Sequence, residues 1–350
     1  MSTVEIGNRV ISHNHDPFIV AEVGINHNGE LEKAFEMIRV AKEAGVDAVK
    51  FQTFKAAEFV GDPTLTYTYF SQGKKVTESM LEMFKRVEFT LEEWRKIKAY
   101  CDQIGIMFLS TPQNRSDLDL LLELDIQAIK VGSDDFTNLP LLKSYASTGL
   151  PMIVSCGMAD LAEVHQALAA IGAIDGYPTI LLLCTSQYPT PPQDVNLLKL
   201  KTLANAFPMV PVGFSDHTQG ALASSLAVAF GASFFEKHFT LDRDLPGPDH
   251  WFSEDPSSLK EWVNAIRTAH IMLGSPIVKP TTEEYEMRTL ARRSIVALAD
   301  IEMGEKLDVN NIGLRRPGNG LAPSLFEEVV NKQANRSIKK GELIRLGDFS

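Results

Sequence analysis

Eight times between residues 18 and 273, a short apolar run gives way to a stretch with apolar residues at helical spacing. The runs lie at 18–23, 48–51, 106–109, 126–131, 151–155, 179–184, 209–214 and 233–239. The helical stretches lie at 30–44, 91–103, 115–124, 139–147, 160–171, 195–206, 218–230 and 257–273. Runs this uniformly apolar read as strands covered on both faces, the signature of a parallel sheet. Eight βα units in about 270 residues point to a (β/α)8 TIM barrel. A doubly wound open sheet is the alternative, weakened because no Gly-x-Gly-x-x-Gly follows the first run.

The pattern changes near residue 275, so the barrel is assigned to residues 1–275. Pro276 and Pro280 mark a linker over 276–291, within which 282–291 reads as a short helix. From 292 to 350 the chain becomes short strands and turns. Residues 299–307 (Ala-Asp-Ile-Glu-Met-Gly-Glu-Lys-Leu) are echoed by 336–344 (Arg-Ser-Ile-Lys-Lys-Gly-Glu-Leu-Ile), which suggests a β-rich module with two similar turns. At about 60 residues such a module is marginal alone and is expected to dock on something. Residues 55–90 form an insertion after the second strand, with Tyr67, Tyr69, Phe70 and Phe84. An insertion on the catalytic side of a barrel reads as a lid or a substrate wall.

The net charge of −11 argues against nucleic acid or an anionic membrane as partner, since both require basic surfaces. No apolar run approaches the ~20 residues of a membrane helix, and the first residues lack the pattern of a signal peptide. The three cysteines, Cys101, Cys156 and Cys184, have no close-pair spacing, so neither a disulfide framework nor a thiolate zinc site is indicated. A cytoplasmic location is expected.

Barrel chemistry sits at the C-terminal ends of the strands, and here those ends are polar. They carry Glu22, Lys50 and Gln52, Ser110 and Thr111, Lys130 and Ser133, Ser155, Ser186 and Tyr188, Ser215 and His217, and Glu236, Lys237 and His238. If the last two strands are neighbours, His217 and His238 project into one mouth as ligands for Mn, Fe, Co or Zn, or as part of an anion site. Each could instead cap its strand by hydrogen bonding. Three lysines with several hydroxyls would bind phosphate or carboxylate. A Schiff-base lysine is a competing reading, against which the two histidines argue. Asp249, in Gly247-Pro-Asp-His250, either orients a ligand or makes a turn, and His250 is left undecided.

The ordered set of motifs resembles the sialic acid synthase family, the bacterial nonulosonate synthases. The matching segments are Ala21-Glu-Val-Gly-Ile-Asn-His-Asn-Gly29, Val49-Lys-Phe-Gln-Thr53, Phe108-Leu-Ser-Thr-Pro112, Ile129-Lys-Val-Gly-Ser133 and Val154-Ser-Cys-Gly-Met158. They continue with Cys184-Thr-Ser-Gln-Tyr-Pro-Thr-Pro191, Phe214-Ser-Asp-His-Thr218, Glu236-Lys-His-Phe-Thr240 and Gly247-Pro-Asp249. Arg315-Arg-Pro-Gly-Asn-Gly320 matches the antifreeze-like (SAF) module that ends these enzymes.

The resemblance implies condensation of phosphoenolpyruvate with an open-chain N-acetylmannosamine-type sugar. Phosphate would leave by C–O cleavage, and the product would be N-acetylneuraminate or N,N'-diacetyllegionaminate. It implies a divalent metal, manganese or magnesium, on His217 and His238. Lys50, Lys130, Ser133, Ser155 and Ser215 would cradle phosphate and carboxylate. Gln52, Thr111, Tyr188 and Asp249 would line the sugar side, with Ser186 counted among the substrate contacts. Glu22 would handle protons or activate water. Arg316 would be presented to the barrel of a partner, in a domain-swapped homodimer.

There are departures. Ser186-Gln187 stands where some members have Asn before Tyr-Pro-Thr-Pro, and Trp251-Phe252 places a bulky pair after Gly-Pro-Asp-His. That pair either packs its own loop or forms an apolar wall that would suit a 6-deoxy sugar. The same residues also allow a Schiff-base aldolase acting on the same product through Lys130 or Lys237, or a non-catalytic sugar-binding barrel. Synthases using phosphorylated sugars would call for extra cations on the sugar side, where mostly neutral groups are seen.

Overall fold

The computed structural model describes residues 3–350. It contains two compact units, Met1–Gly274 and Ser275–Ser350. The first is built on eight parallel strands: β1 (Phe18–Gly24), β2 (Ala48–Thr53), β3 (Met107–Pro112), β4 (Ile129–Val131), β5 (Met152–Ser155), β6 (Thr179–Cys184), β7 (Val212–Ser215) and β8 (Phe234–His238). Their lateral order is β3-β2-β1-β8-β7-β6-β5-β4. The end strands β3 and β4 lie side by side, so the sheet curls into a nearly closed barrel. A doubly wound sheet would reverse its order part-way; this one runs on without reversal, as expected of a (β/α)8 barrel.

The outer helices are α1 (Leu31–Ala44), α2 (Leu91–Ile104), α3 (Arg115–Leu122), α4 (Leu139–Ala146), α5 (Leu161–Ile171), α6 (Leu198–Ala206), α7 (Leu222–Ala229) and α8 (Pro256–Leu273). Several start where the sequence supplies a cap. Thr90, Asp160 and Asp255 each accept from the backbone N–H three residues on, closing capping boxes.

Strand alternation organises the barrel interior. Phe18, Val20, Ala48, Leu109, Ala128, Ile153, Ile180, Leu182 and Phe234 share one buried apolar cluster. Successive even steps along a strand keep to the same face, so most of these rows continue upward into a polar residue. Phe18 and Val20 lead to Glu22, Ala48 to Lys50, Leu109 to Thr111, Ala128 to Lys130, Ile153 to Ser155, and Phe234 to Glu236 and His238. Apolar layers below thus support a polar layer at the mouth. Residues 4–11, which carry no strand expectation, form an antiparallel hairpin of Val4–Ile6 and Arg9–Ile11 turning at Gly7. Its Val4, Ile6 and Ile11 close the apolar cluster from the N-terminal end.

Some boundaries differ from expectation. β4 is confined to Ile129–Val131 rather than 126–131. The helix expected from 218 starts at Leu222, because Thr218 N and Gly220 N are claimed by the side chains of Asp216 and Glu254. The helix expected over 195–206 is split, with Asn196 at φ 51° between a short helix Pro192–Val195 and α6. Within the insertion lie a short helix Ala56–Phe59, an antiparallel hairpin of Thr66–Ser71 and Lys74–Ser79, and a helix Met80–Val87.

The second unit opens with α9 (Thr282–Ala291), none of whose residues is buried. A hairpin of Ser294–Ala297 and Ile312–Arg315 follows. The two echoed segments pair directly through an Ile301–Ile338 bridge. Their equivalent glycines, Gly304 and Gly341, both turn at positive φ, 83° and 87°. Their equivalent Leu307 and Ile344 share one small core with Ile295, Ile301, Ile312 and Ile338. Among the described residues, no helix is long and apolar enough to cross a membrane.

Candidate functional site

The polar layer at the barrel mouth is a cluster of alternating charge. Glu22 pairs with Lys50 at 2.7 Å. Lys50 Nζ also donates to Thr111 Oγ1 at 3.0 Å, and Gln52 Nε2 donates to Glu22 Oε1 at 3.3 Å. Glu236 stands 3.9 Å from Lys50 and 3.7 Å from Lys130. Lys130 Nζ donates to Ser155 Oγ at 2.8 Å, and Ser215 Oγ donates to Glu236 Oε1 at 3.1 Å. All of these side chains but Gln52, which is half-buried, are removed from solvent.

The two carboxyls differ in character. Burial pushes the Glu22 carboxyl up to about 7 in spite of Lys50. Burial also acts on Glu236, but Lys130 and Lys50 together hold it below its ordinary range. One group near half-protonation at neutral pH and one firmly ionised is the separation that acid–base work requires. Glu236, which the sequence marks only as one of the polar strand ends, stands among the site residues. The signal was there, since it lies two residues before His238 and shares its face.

The hydroxyls of Ser133 and Ser186 converge on Gly157. A Cβ at Gly157 would lie 2.6 Å from each Oγ, and Gly157 N donates to Ser133 Oγ at 3.0 Å. A backbone N–H and two hydroxyls around a residue kept free of side chain make a cradle suited to an anion.

The expected convergence of three lysines is corrected. Lys50 and Lys130 face the mouth. Lys237, one step out of phase with Glu236 and His238, points the other way, into Asp216 and Glu254 at 3.1 and 3.6 Å. Tied there, it is not available to substrate as a Schiff-base amine.

His217 and His238 stand together, as their place on neighbouring strands requires, with ring centroids 5.6 Å apart. His217 Nδ1 donates to Thr185 O at 2.7 Å, and its Nε2 lies 3.5 Å from Ser215 Oγ. His238 is half-buried, and its Nδ1 has no hydrogen-bond partner, with Asp249 Oδ2 3.9 Å away. Burial, then His217, hold this imidazole well below its ordinary range, so it stays neutral. A backbone-oriented imidazole beside a neutral one with an unpartnered nitrogen fits a divalent transition ion. No group of three or more His, Cys, Asp or Glu stands ready for a metal among the described residues. An ion here would have two protein imidazoles and complete its shell from substrate and water.

Tyr188 lies against His217, tilted by 31° with 4.2 Å between centroids, and meets His238 edge-on at 5.7 Å. Burial lifts the Asp249 carboxyl to about 6. Phe252 packs on both Tyr188 and His238, at 5.1 and 5.2 Å, while Trp251 meets Phe70 of the inserted hairpin at 5.9 Å. The hairpin is fastened to the same loop: Gly247 N donates to Ser71 Oγ and Gln72 Nε2 to Asp244 O. His250 is fully buried between Thr240 Oγ1 at 2.7 Å and Asn28 Oδ1 at 3.2 Å, which makes it a structural clamp. Arg316 belongs to the C-terminal unit and is exposed.

Comparison with known proteins gives these features a context. Residues 37–278 match the model of the NeuB family, and residues 292–350 match the SAF domain. An N,N'-diacetyllegionaminic acid synthase of Legionella pneumophila is 41% identical over 93% of this chain and 92% of its own. The human N-acetylneuraminate-9-phosphate synthase is 33% identical over 96% of this chain and 93% of its own. The crystal structure of an N-acetylneuraminic acid synthetase from Leptospira borgpetersenii superposes with a TM-score of 0.73 at 33% identity, covering 82% of this chain and 95% of that one. The chain therefore belongs to the NeuB family and ends in a SAF domain, in agreement with the resemblance read from its motifs.

Proposed function

We propose that this protein is a nonulosonate synthase. It condenses phosphoenolpyruvate with an open-chain N-acetylmannosamine-type sugar to give N-acetylneuraminate or N,N'-diacetyllegionaminate and phosphate. The observation that carries this reading is the joining of an anion cradle to a pair of adjacent imidazoles at one barrel mouth. The names of the relatives support the reaction class.

Lys50 and Lys130, with Ser133, Ser155, Ser186 and Ser215, hold the phosphate and carboxylate of phosphoenolpyruvate. Gln52, Thr111, Tyr188 and Asp249 line the sugar. In the reaction, C3 of the enol bonds to the sugar aldehyde carbon, whose oxygen takes up a proton. A water oxygen bonds to C2, and its proton passes to a base. The bond between C2 and the phosphate oxygen then breaks as the C2 hydroxyl gives up its proton to become the ketone, and phosphate leaves with a proton. Glu22 is the group suited to hold and return that proton, because its carboxyl is near half-protonation at neutral pH. Manganese or magnesium on His217 and His238 would supply Lewis acidity at the aldehyde oxygen. Arg316 of a second copy, in a domain-swapped homodimer, would complete the sugar contacts.

The test is phosphate release from phosphoenolpyruvate with N-acetylmannosamine and, separately, with its 2,4-diacetamido-6-deoxy analogue, in manganese or in EDTA. Metal-dependent release with one sugar is expected, and it names the product. Release with neither sugar would sink the reading. One observation favours a second reading: burial depresses Lys130, as a Schiff-base amine requires. Borohydride trapping of pyruvate on Lys130 would establish that aldolase chemistry.

A further inference from the structure

Behind the two histidines, on the face of the strands turned away from the mouth, lies a buried ion network. Asp216, Lys237 and Glu254 are each no more than 2% exposed. Lys237 Nζ pairs with Asp216 at 3.1 Å and with Glu254 at 3.6 Å, and it donates to Thr218 O. Asp216 Oδ1 accepts from Thr218 N and Oγ1, both at 2.8 Å. Asp216 Oδ2 accepts from Ser224 Oγ at 2.6 Å, and that hydroxyl accepts from Trp262 Nε1 at 2.9 Å. Glu254 accepts from Gly220 N and from Arg243 Nη2, both at 2.9 Å.

Buried ion networks contribute little net stability, because desolvation offsets most of the attraction, and apolar replacements are often as stable. Their best-attested use is to fix register. Here the register at stake is that of the histidines. The ladder between β7 and β8 pairs Phe214 with Phe235 and Ser215 with Glu236, and its last bond is Asp216 N to Glu236 O. His217 lies beyond that bond, so the ladder does not fix it against His238. The network takes over there. Asp216 and Thr218 flank His217, Lys237 precedes His238, and Glu254 N donates to His238 O at 2.8 Å.

We propose that Lys237, clamped between Asp216 and Glu254, is a positioning residue that sets the separation of His217 and His238 for a divalent cation. The inference rests on the reading that these histidines hold the ion. Lys237 touches neither substrate nor metal; it acts through the two strand ends that carry the imidazoles.

The experiment is a manganese titration of the full-length protein without substrates, by calorimetry and by the electron paramagnetic resonance signal of free manganese. Phosphoenolpyruvate affinity is measured in parallel in EDTA. The double variant Asp216→Asn with Lys237→Met removes both charges together, so no buried ion is stranded. It is expected to bind manganese at least about tenfold more weakly, the scale of lost support behind a metal ligand. Phosphoenolpyruvate affinity should stay near wild type, a split that general loosening of the fold would not produce. If the double variant does not fold, Glu254→Gln, which keeps an acceptor for Gly220 N, carries the test with the same expected split. Manganese affinity equal to wild type in a folded variant, with binding lost in His217→Ala, would overturn the inference alone. No manganese binding by the wild-type protein would overturn the metal reading and the inference with it.

Discussion

At the scale of single residues, Glu22 and Gly157 make claims that can be checked separately. The Glu22 carboxyl rises from an ordinary 4.5 to about 7 on folding, so between those values the folded state keeps a proton that the unfolded chain gives up. Stability therefore falls as pH rises through that window. Glu22→Gln has no such proton, so its stability relative to wild type should climb from pH 4.5 to 7 and level off above. Urea midpoints at a series of pH values measure this. A parallel course for both proteins would show that Glu22 is not buried against its charge. The same variant should lose about 10²–10⁴-fold in turnover if Glu22 carries the proton. Gly157→Ala tests the anion cradle instead. Its methyl would fall 2.6 Å from the hydroxyls of Ser133 and Ser186, which must move apart. The expected outcome is a KM for phosphoenolpyruvate raised about tenfold, some 1.4 kcal/mol of binding, with a smaller change in kcat. An unchanged KM would remove Ser133 and Ser186 from the phosphate contacts.

At the scale of elements, strand parity explains what the sequence disclosed and what it withheld. The eight runs and their helical partners were legible because strands buried on both faces leave uniform apolar text. The mouth residues were legible because they end those runs. Glu236 and Lys237 show the limit. Adjacent on β8, they face opposite ways, and only alternation from His238 tells that Glu236 joins the site while Lys237 leaves it. The N-terminal hairpin was not legible, since each strand is three residues long and its role depends on a cavity the barrel creates. Nor does the docking of the inserted hairpin show in its own sequence, because its partners lie some 170 residues away, at Asp244, Gly247 and Trp251. That docking has a consequence. Since Phe70 packs on Trp251 beside the loop carrying Asp249, Phe70→Ala should raise the KM for the sugar by about 3–10-fold, the scale of a lost apolar contact. The KM for phosphoenolpyruvate should not change. Equal effects on both would mean that the hairpin only stabilises the loop.

At the scale of the whole molecule, the question is how the work divides between two units with separate cores. The barrel has its own extended core, and the cradle and both histidines lie within residues 1–274. The C-terminal unit has a small core around Ile295, Ile301, Leu307, Ile338 and Ile344. A unit of that size is marginal by itself, so its persistence asks for a contribution that the barrel lacks. Arg316 is the proposed one. Residues 1–274 expressed alone should unfold cooperatively, bind manganese and bind phosphoenolpyruvate with affinities near those of the full chain. They should release almost no phosphate when sugar is added. Arg316→Ala in the full chain should reproduce that sugar defect with an unchanged melting temperature, because the side chain is exposed, and surface changes of this kind shift stability by no more than about 0.5 kcal/mol. Mixing inactive Arg316→Ala with an inactive Lys50→Ala variant then asks whether the arginine acts across subunits. If it does, mixed dimers contain one site with both residues intact, and about a quarter of wild-type activity should return at equal mixing, on the random pairing of closed two-fold dimers. Full activity in the truncated barrel would place the sugar contacts wholly within residues 1–274 and leave the C-terminal unit some other task.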